Sequence, residues 1–106
     1  MRTVRLFLIV VAAITSWTAQ PVAAQSSDPH LARNLASTCF NCHGPDGVSR
    51  GEVASLAGQK KDDLVLKMQE FKAGKRPATI MHQLAKGYTD AQIELIANWF
   101  ADRRAK

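Results

Sequence analysis

Cys39-Phe40-Asn41-Cys42-His43 is the stretch that decides how the rest of the chain is read. Its two thiols lie three residues apart, so on a helix they are neighbours one turn from each other, and an imidazole directly follows the second. Such a pair can add to the two vinyl groups along one edge of a porphyrin. The imidazole beside the second thiol then lies beneath the ring and reaches its iron. Attachment and ligation become one device, so the pattern predicts a covalently bound haem c held by Cys39 and Cys42, with His43 as an iron ligand. Three other uses of the same residues compete. A structural zinc site wants four Cys or His ligands, and beyond these three only the scattered His30 and His82 remain. A thioredoxin-like redox pair wants a β-α-β setting. A plain disulfide leaves His43 unexplained.

Working outward to the N-terminus, Met1-Arg2-Thr3-Val4-Arg5 is a short cationic start. Leu6 to Trp17 follows as an apolar run too short to cross a bilayer as a mature helix. Val22 and Ala24 fit the small-residue rule for cleavage before Gln25. Residues 1–24 therefore read as a signal peptide and residues 25–106 as one monohaem domain, exported to the periplasm, with no membrane span once the leader is removed. An uncleaved anchor would need a longer apolar stretch. The 106-residue chain carries a formal charge of +5, and the leader takes Arg2 and Arg5 with it but no acid, so the mature surface is mildly basic. No nucleic-acid partner is expected. A domain this short has too little core for comfort, and thioether bonds to a large apolar plate would supply the missing staple.

Beyond the leader the pattern is helical throughout, which makes the fold class all-α, about four helices around one haem. Asp28 and Pro29 can open a first helix whose Leu31, Ala32, Leu35 and Ala36 share a face. Residues 44–59, rich in glycine, read as a loop folded over something. Leu64, Val65, Met68 and Phe71 mark a second helix from Asp62, stopped by Gly74. Pro77 can open a short third helix through Met81 and Leu84, closed by Gly87. Thr89 with Gln92 makes a capping box ahead of a last helix bearing Ile93, Ile96, Ala97 and Phe100.

A low-spin electron carrier needs a second axial ligand, and Met68, Met81, His30 and His82 are the candidates. Met68 falls on the apolar stripe of the second helix and reads as core filler. His30, in the first turn of the first helix, reads as solvated. Met81 follows Pro77 and is separated from His43 by the loop and the second helix, which suits an approach to the far face of the ring. Met81 is therefore the choice, with its neighbour His82 as runner-up. A thioether on the iron raises the potential relative to two imidazoles.

The haem motif with Gly44-Pro45-Asp46-Gly47 resembles the class I cytochromes c of bacteria. Ser55-Leu56-Ala57-Gly58-Gln59, Phe71-Lys72-Ala73-Gly74-Lys75-Arg76, Thr79-Ile80-Met81 and Ala85-Lys86-Gly87-Tyr88-Thr89-Asp90 are similar to the cytochrome subunit of flavocytochrome c sulfide dehydrogenase and to cytochromes c4. The resemblance implies Met81 as the distal ligand, a flavoprotein partner, and first and last helices that cross near Cys39, bringing Ala32 or Ala36 towards Trp99 or Phe100. Many relatives carry two such modules where this chain has one. Family members usually place a proline whose carbonyl accepts a hydrogen bond from the proximal histidine; here it is Ala54, which keeps the carbonyl and loses the ring. The residue after the distal methionine is commonly glycine, and here it is His82.

The resemblance implies electron transfer, as the subunit that accepts electrons from a sulfide-oxidising flavoprotein and passes them to another redox protein. A free-standing electron shuttle is the variant. A haem gas sensor or enzyme would instead need an open sixth position on the iron, which Met81 closes. Lys60, Lys61, Lys67, Lys72, Lys75 and Arg76 either solvate the outer face of the second helix or ring the haem edge and steer an acidic partner.

Overall fold

The computed structural model describes residues 28–103. The elements run α1 (Leu31–Ser37), α2 (Phe40–His43), α3 (Lys61–Lys72), α4 (Met81–Leu84) and α5 (Asp90–Ala101), with 3-10 turns at Pro45–Gly47 and Ala85–Gly87. No strand occurs among the described residues, and the all-α expectation holds. The leader and its cleavage point lie outside the described residues.

The centre of the molecule is the crossing of α1 and α5. Ala36 is fully buried there, in one cluster with Leu64, Ile96, Ala97, Trp99 and Phe100. A methyl group at the contact lets the two backbones approach closely, and the expected meeting of Ala36 with Trp99 and Phe100 is present. α5 can serve as the spine because its start is secured locally. Gln92 N–H donates to Thr89 Oγ1 at 3.2 Å, and Thr89 N–H donates to Gln92 Oε1 at 2.9 Å, completing the capping box. Its apolar stripe then places Ile93, Ile96, Ala97, Trp99 and Phe100 in the core.

α3 packs against α5. Asp62 and Asp63 in its first turn and Lys72 in its last complement the helix dipole. It ends in a Schellman motif: Gly74, at φ +71°, donates to the Phe71 carbonyl, and Lys75 N–H donates to that of Glu70. Two ion pairs fasten its outer face to α5, Lys61 to Glu94 at 2.6 Å and Lys72 to Asp90 at 2.9 Å.

Three details differ from the reading of the sequence. α1 starts at Leu31, two residues after Pro29, because the Asp28 carboxylate accepts the His30 N–H at 2.8 Å and builds a turn ahead of the helix. Among the described residues the helix count rises to five because the Cys39–His43 motif forms a one-turn helix of its own after a tightened bend, where Cys39 N–H donates to the Ala36 carbonyl three residues back. The third helix does not open at Pro77. Ile80 has a non-helical backbone (φ −132°), and Pro77 to Ile80 are all exposed, so no burial offsets the entropy of nucleating a turn there.

Candidate functional site

Phe40 holds the Cys39–His43 turn in place. Its ring meets Trp99 at 5.5 Å and Phe100 at 6.3 Å between centroids, and these two meet each other at 5.1 Å. Each such pair adds about 0.5–1.5 kcal/mol beyond the area it buries. α2 is thereby docked on the last turns of α5, and the chemistry-bearing residues are carried by the best-packed part of the chain.

Cys39 and Cys42 are both free thiols, Cys39 half-buried and Cys42 exposed. Burial pushes the Cys39 thiol above its ordinary pKa; the Thr38 hydroxyl opposes this and Cys42 adds to it. A catalytic redox thiol needs the opposite shift, towards thiolate. The thioredoxin-like use therefore finds no support, while a protonated thiol suits addition across a vinyl group.

His43 supplies the most specific feature. Its Nδ1 lies 2.6 Å from the carbonyl oxygen of Ala54. A carbonyl can only accept, so Nδ1 carries the proton, and Nε2 keeps its lone pair for a metal. This second contact fixes ring orientation and tautomer together, as ligating histidines require. Ala54 retains the carbonyl of the family's proline, and the bond forms without the rigid ring.

The loop that brings Ala54 to His43 is stitched internally. Gly47 C=O accepts from both Leu56 N–H and Ala57 N–H, at 2.8 and 3.1 Å, and Ser49 N–H donates to Ser55 Oγ at 2.9 Å. Gln59 donates its side-chain amide to the Ser55 carbonyl. Gly58 N–H donates to the Phe100 carbonyl at 3.0 Å, which fastens the loop to the end of α5. Gly47 sits against Phe100 at φ +78°, so close that a Cβ there would lie 2.6 Å from the ring.

Met81 stands apart from these residues, at the first position of α4, which packs on α3. One link between the two regions was not legible in the sequence. Thr38 Oγ1 donates to the Leu35 carbonyl at 2.8 Å, so its single proton is committed, and the Tyr88 hydroxyl at 2.6 Å must be the donor to it. Tyr88 follows the turn after α4, and this bond ties the end of the Met81 segment to the residue before Cys39. No local signal marks a pair 50 positions apart.

His82, beside Met81, has a buried Nδ1 without a hydrogen-bond partner. Leaving a buried polar group unsatisfied costs about 1–3 kcal/mol, which makes this atom an anomaly for the chain by itself. The free thiol pair one helical turn apart and the lone pair on the oriented His43 Nε2 form a donor set that suits an iron porphyrin.

The chain is similar to the cytochrome subunit of sulfide dehydrogenase from Chlorobaculum tepidum, 38% identical over 72 residues, covering 68% of this chain and 66% of that one. The class I c-type cytochromes are its family. Cytochrome c4 of Pseudomonas aeruginosa is 32% identical over 84 residues, 78% of this chain and 42% of that cytochrome. A thiosulfate dehydrogenase electron acceptor of Thiomonas intermedia is 37% identical over 67 residues, 59% of this chain and 31% of that protein. This cytochrome thus spans about two thirds of the first relative and less than half of the other two. No family model matches the chain. Its five short helices are those of the small all-α class I cytochrome c fold, and membership implies covalently bound haem c.

The basic residues between the haem motif and Met81 are mostly engaged. Lys61 and Lys72 pair with Glu94 and Asp90, Arg76 with Glu70 at 2.6 Å, and Lys67 donates to Gln59 Oε1 at 2.7 Å. Of the six, only Lys60 and Lys75 have no side-chain partner among the described residues. Three of the six are thus paired with an acid, and three keep an uncompensated charge among the described residues.

Proposed function

We propose that this cytochrome transfers electrons in the periplasm through a single haem c, as the subunit that accepts them from a sulfide-oxidising flavoprotein and passes them to another redox protein. Cys39 and Cys42 hold the haem, His43 ligates the iron from the proximal side and Met81 from the distal side, and residues 1–24 are the export signal. The observation that carries the reading is the His43–Ala54 hydrogen bond, which presents Nε2 as a lone pair in a fixed orientation. When bound, the haem supplies a metal centre that gains and loses one electron. The chain's residues provide everything that keeps this exchange simple. His43 is held in one tautomer by the loop, so its ligand atom does not vary. The aromatic packing of Phe40 keeps the attachment turn rigid. A thioether from Met81 favours the reduced metal and closes the sixth position to small ligands.

The flavoprotein assignment draws its support from the relatives' names, which couple cytochromes of this family to sulfide and thiosulfate dehydrogenases. The test is purification of the mature protein from its periplasm. A polypeptide starting at Gln25, heavier than the bare chain by one haem and co-purifying with a flavin-bearing subunit, is expected. A colourless polypeptide of bare-chain mass overturns the haem reading. A fully active monomer with no flavoprotein requirement overturns the subunit reading alone.

A further inference from the structure

We propose that His82 is a reserve axial ligand: when the Met81 sulfur is removed, the His82 imidazole takes its place on the iron. The inference rests on the reading of Met81 as distal ligand and deepens it.

The first support is the orphaned nitrogen. His82 Nδ1 is buried and has no hydrogen-bond partner among the described residues. No hydrogen bond of this nitrogen has to be broken for the imidazole to leave its place, and an unsatisfied buried polar atom gains by finding a partner. Imidazole and thioether are both established ligands of haem iron.

The second support is the mechanics of α4. Successive residues of an α-helix differ by about 100° in direction and about 1.5 Å along the axis. Exchanging residue 81 for residue 82 therefore asks for a rotation of one short segment, with no refolding of the chain. α4 is a single turn, and the Ile80 that precedes it has a non-helical backbone and no side-chain cap. Ile80 and Leu84 at its ends are 52% and 48% exposed, and the one deeply buried residue that follows is Ala85. A segment with so few buried contacts belongs to the part of a protein that moves at least cost. The other candidates are placed less well. His43 is committed to Ala54 and the proximal side, and His30 is exposed at the start of α1.

The experiment uses the ferric holoprotein, with Met81→Ala and the double variant Met81→Ala/His82→Ala. Mass spectrometry confirms covalent haem in each, and far-ultraviolet circular dichroism confirms that the helices are kept. In Met81→Ala the weak long-wavelength sulfur-to-iron band should vanish while the spectrum stays low-spin, with electron paramagnetic resonance typical of two imidazoles and a midpoint potential below that of the parent. The double variant should become high-spin, and added imidazole should return it to low-spin, showing an intact pocket. A high-spin Met81→Ala protein overturns the proposal and leaves the Met81 reading standing. A double variant that remains low-spin without added imidazole also overturns it, because another group is then the ligand. Persistence of the sulfur band in Met81→Ala overturns the distal assignment and the reserve ligand together.

Discussion

Replacing Gly47 with alanine should destabilise the cytochrome severely, by pressing a methyl group into the core. Two penalties combine there. The backbone sits at φ +78°, in the left-handed region that costs an L-residue about 1–2 kcal/mol. The new Cβ would also lie 2.6 Å from both Cδ1 and Cε1 of Phe100 and 3.2 Å from the Ala57 nitrogen. Phe100 is only 1% exposed and locked among Phe40 and Trp99, so its ring cannot step aside without disturbing the core. Overpacking of that kind costs about 1–3 kcal/mol, so the two together come to roughly 2–5 kcal/mol. Against a total stability of about 5–15 kcal/mol this is a severe loss. Urea unfolding of the holoprotein, followed by far-ultraviolet circular dichroism, should show a midpoint lowered by on the order of 1–3 M.

Two other glycines separate the terms. Gly74 has φ +71° with open space where its Cβ would go, so Gly74→Ala should lose only the backbone penalty of about 1–2 kcal/mol. Gly51 has neither a positive φ nor a neighbour, and Gly51→Ala should be neutral or slightly stabilising, within about 1 kcal/mol. The expected order of midpoints is Gly51→Ala, then Gly74→Ala, then Gly47→Ala. If Gly47→Ala loses no more than Gly74→Ala, the close approach of the loop to α5 is refuted.

Tyr88→Phe removes the donor to Thr38 Oγ1 and should cost about 0.5–1.5 kcal/mol. Combined with Thr38→Val it should show a non-additive double-mutant cycle in the same urea assay, and additivity would deny the bond. Cys39→Ser with Cys42→Ser should abolish covalent attachment of the haem. Among the described residues only Phe100 and Ile93 are large, fully buried side chains, so helical ellipticity should fall and the cooperative unfolding transition disappear. A cooperative transition at the parent midpoint would show that the chain needs no such staple.

What could be read from the sequence divides by the range of the interaction that decides it. The capping box of α5 was legible because Thr89 and Gln92 settle it within one turn, whatever the rest of the chain does. The His43–Ala54 bond was legible through the family resemblance, because a backbone carbonyl persists when proline becomes alanine. The Pro77 start of α4 was misjudged for a tertiary reason: a proline marks where a helix is permitted, and only burial decides whether it forms. The cations of α3 were equally undecidable. A lysine on a polar helix face looks the same whether it meets water or an acid, and Lys61 and Lys72 find Glu94 and Asp90 only because α3 and α5 pack side by side.

The two sides of the site differ in how the chain holds them. Cys39, Cys42 and His43 are carried by a turn whose Phe40 is packed into the α1–α5 crossing, and His43 is oriented by a loop bonded to that same crossing through Gly58 and Phe100. A change to the proximal side must therefore disturb the core. Met81 sits on a single helical turn with exposed residues at both ends, joined back to the motif by the Tyr88–Thr38 bond. That segment can shift while the core stays folded. On the proposed reading, a covalent, core-anchored attachment would keep the haem in place through any such change, and the lightly held Met81 segment would leave the choice of sixth ligand to a small local balance. A second donor at position 82 would matter in a protein built this way because the segment that carries it can turn at small cost to the fold.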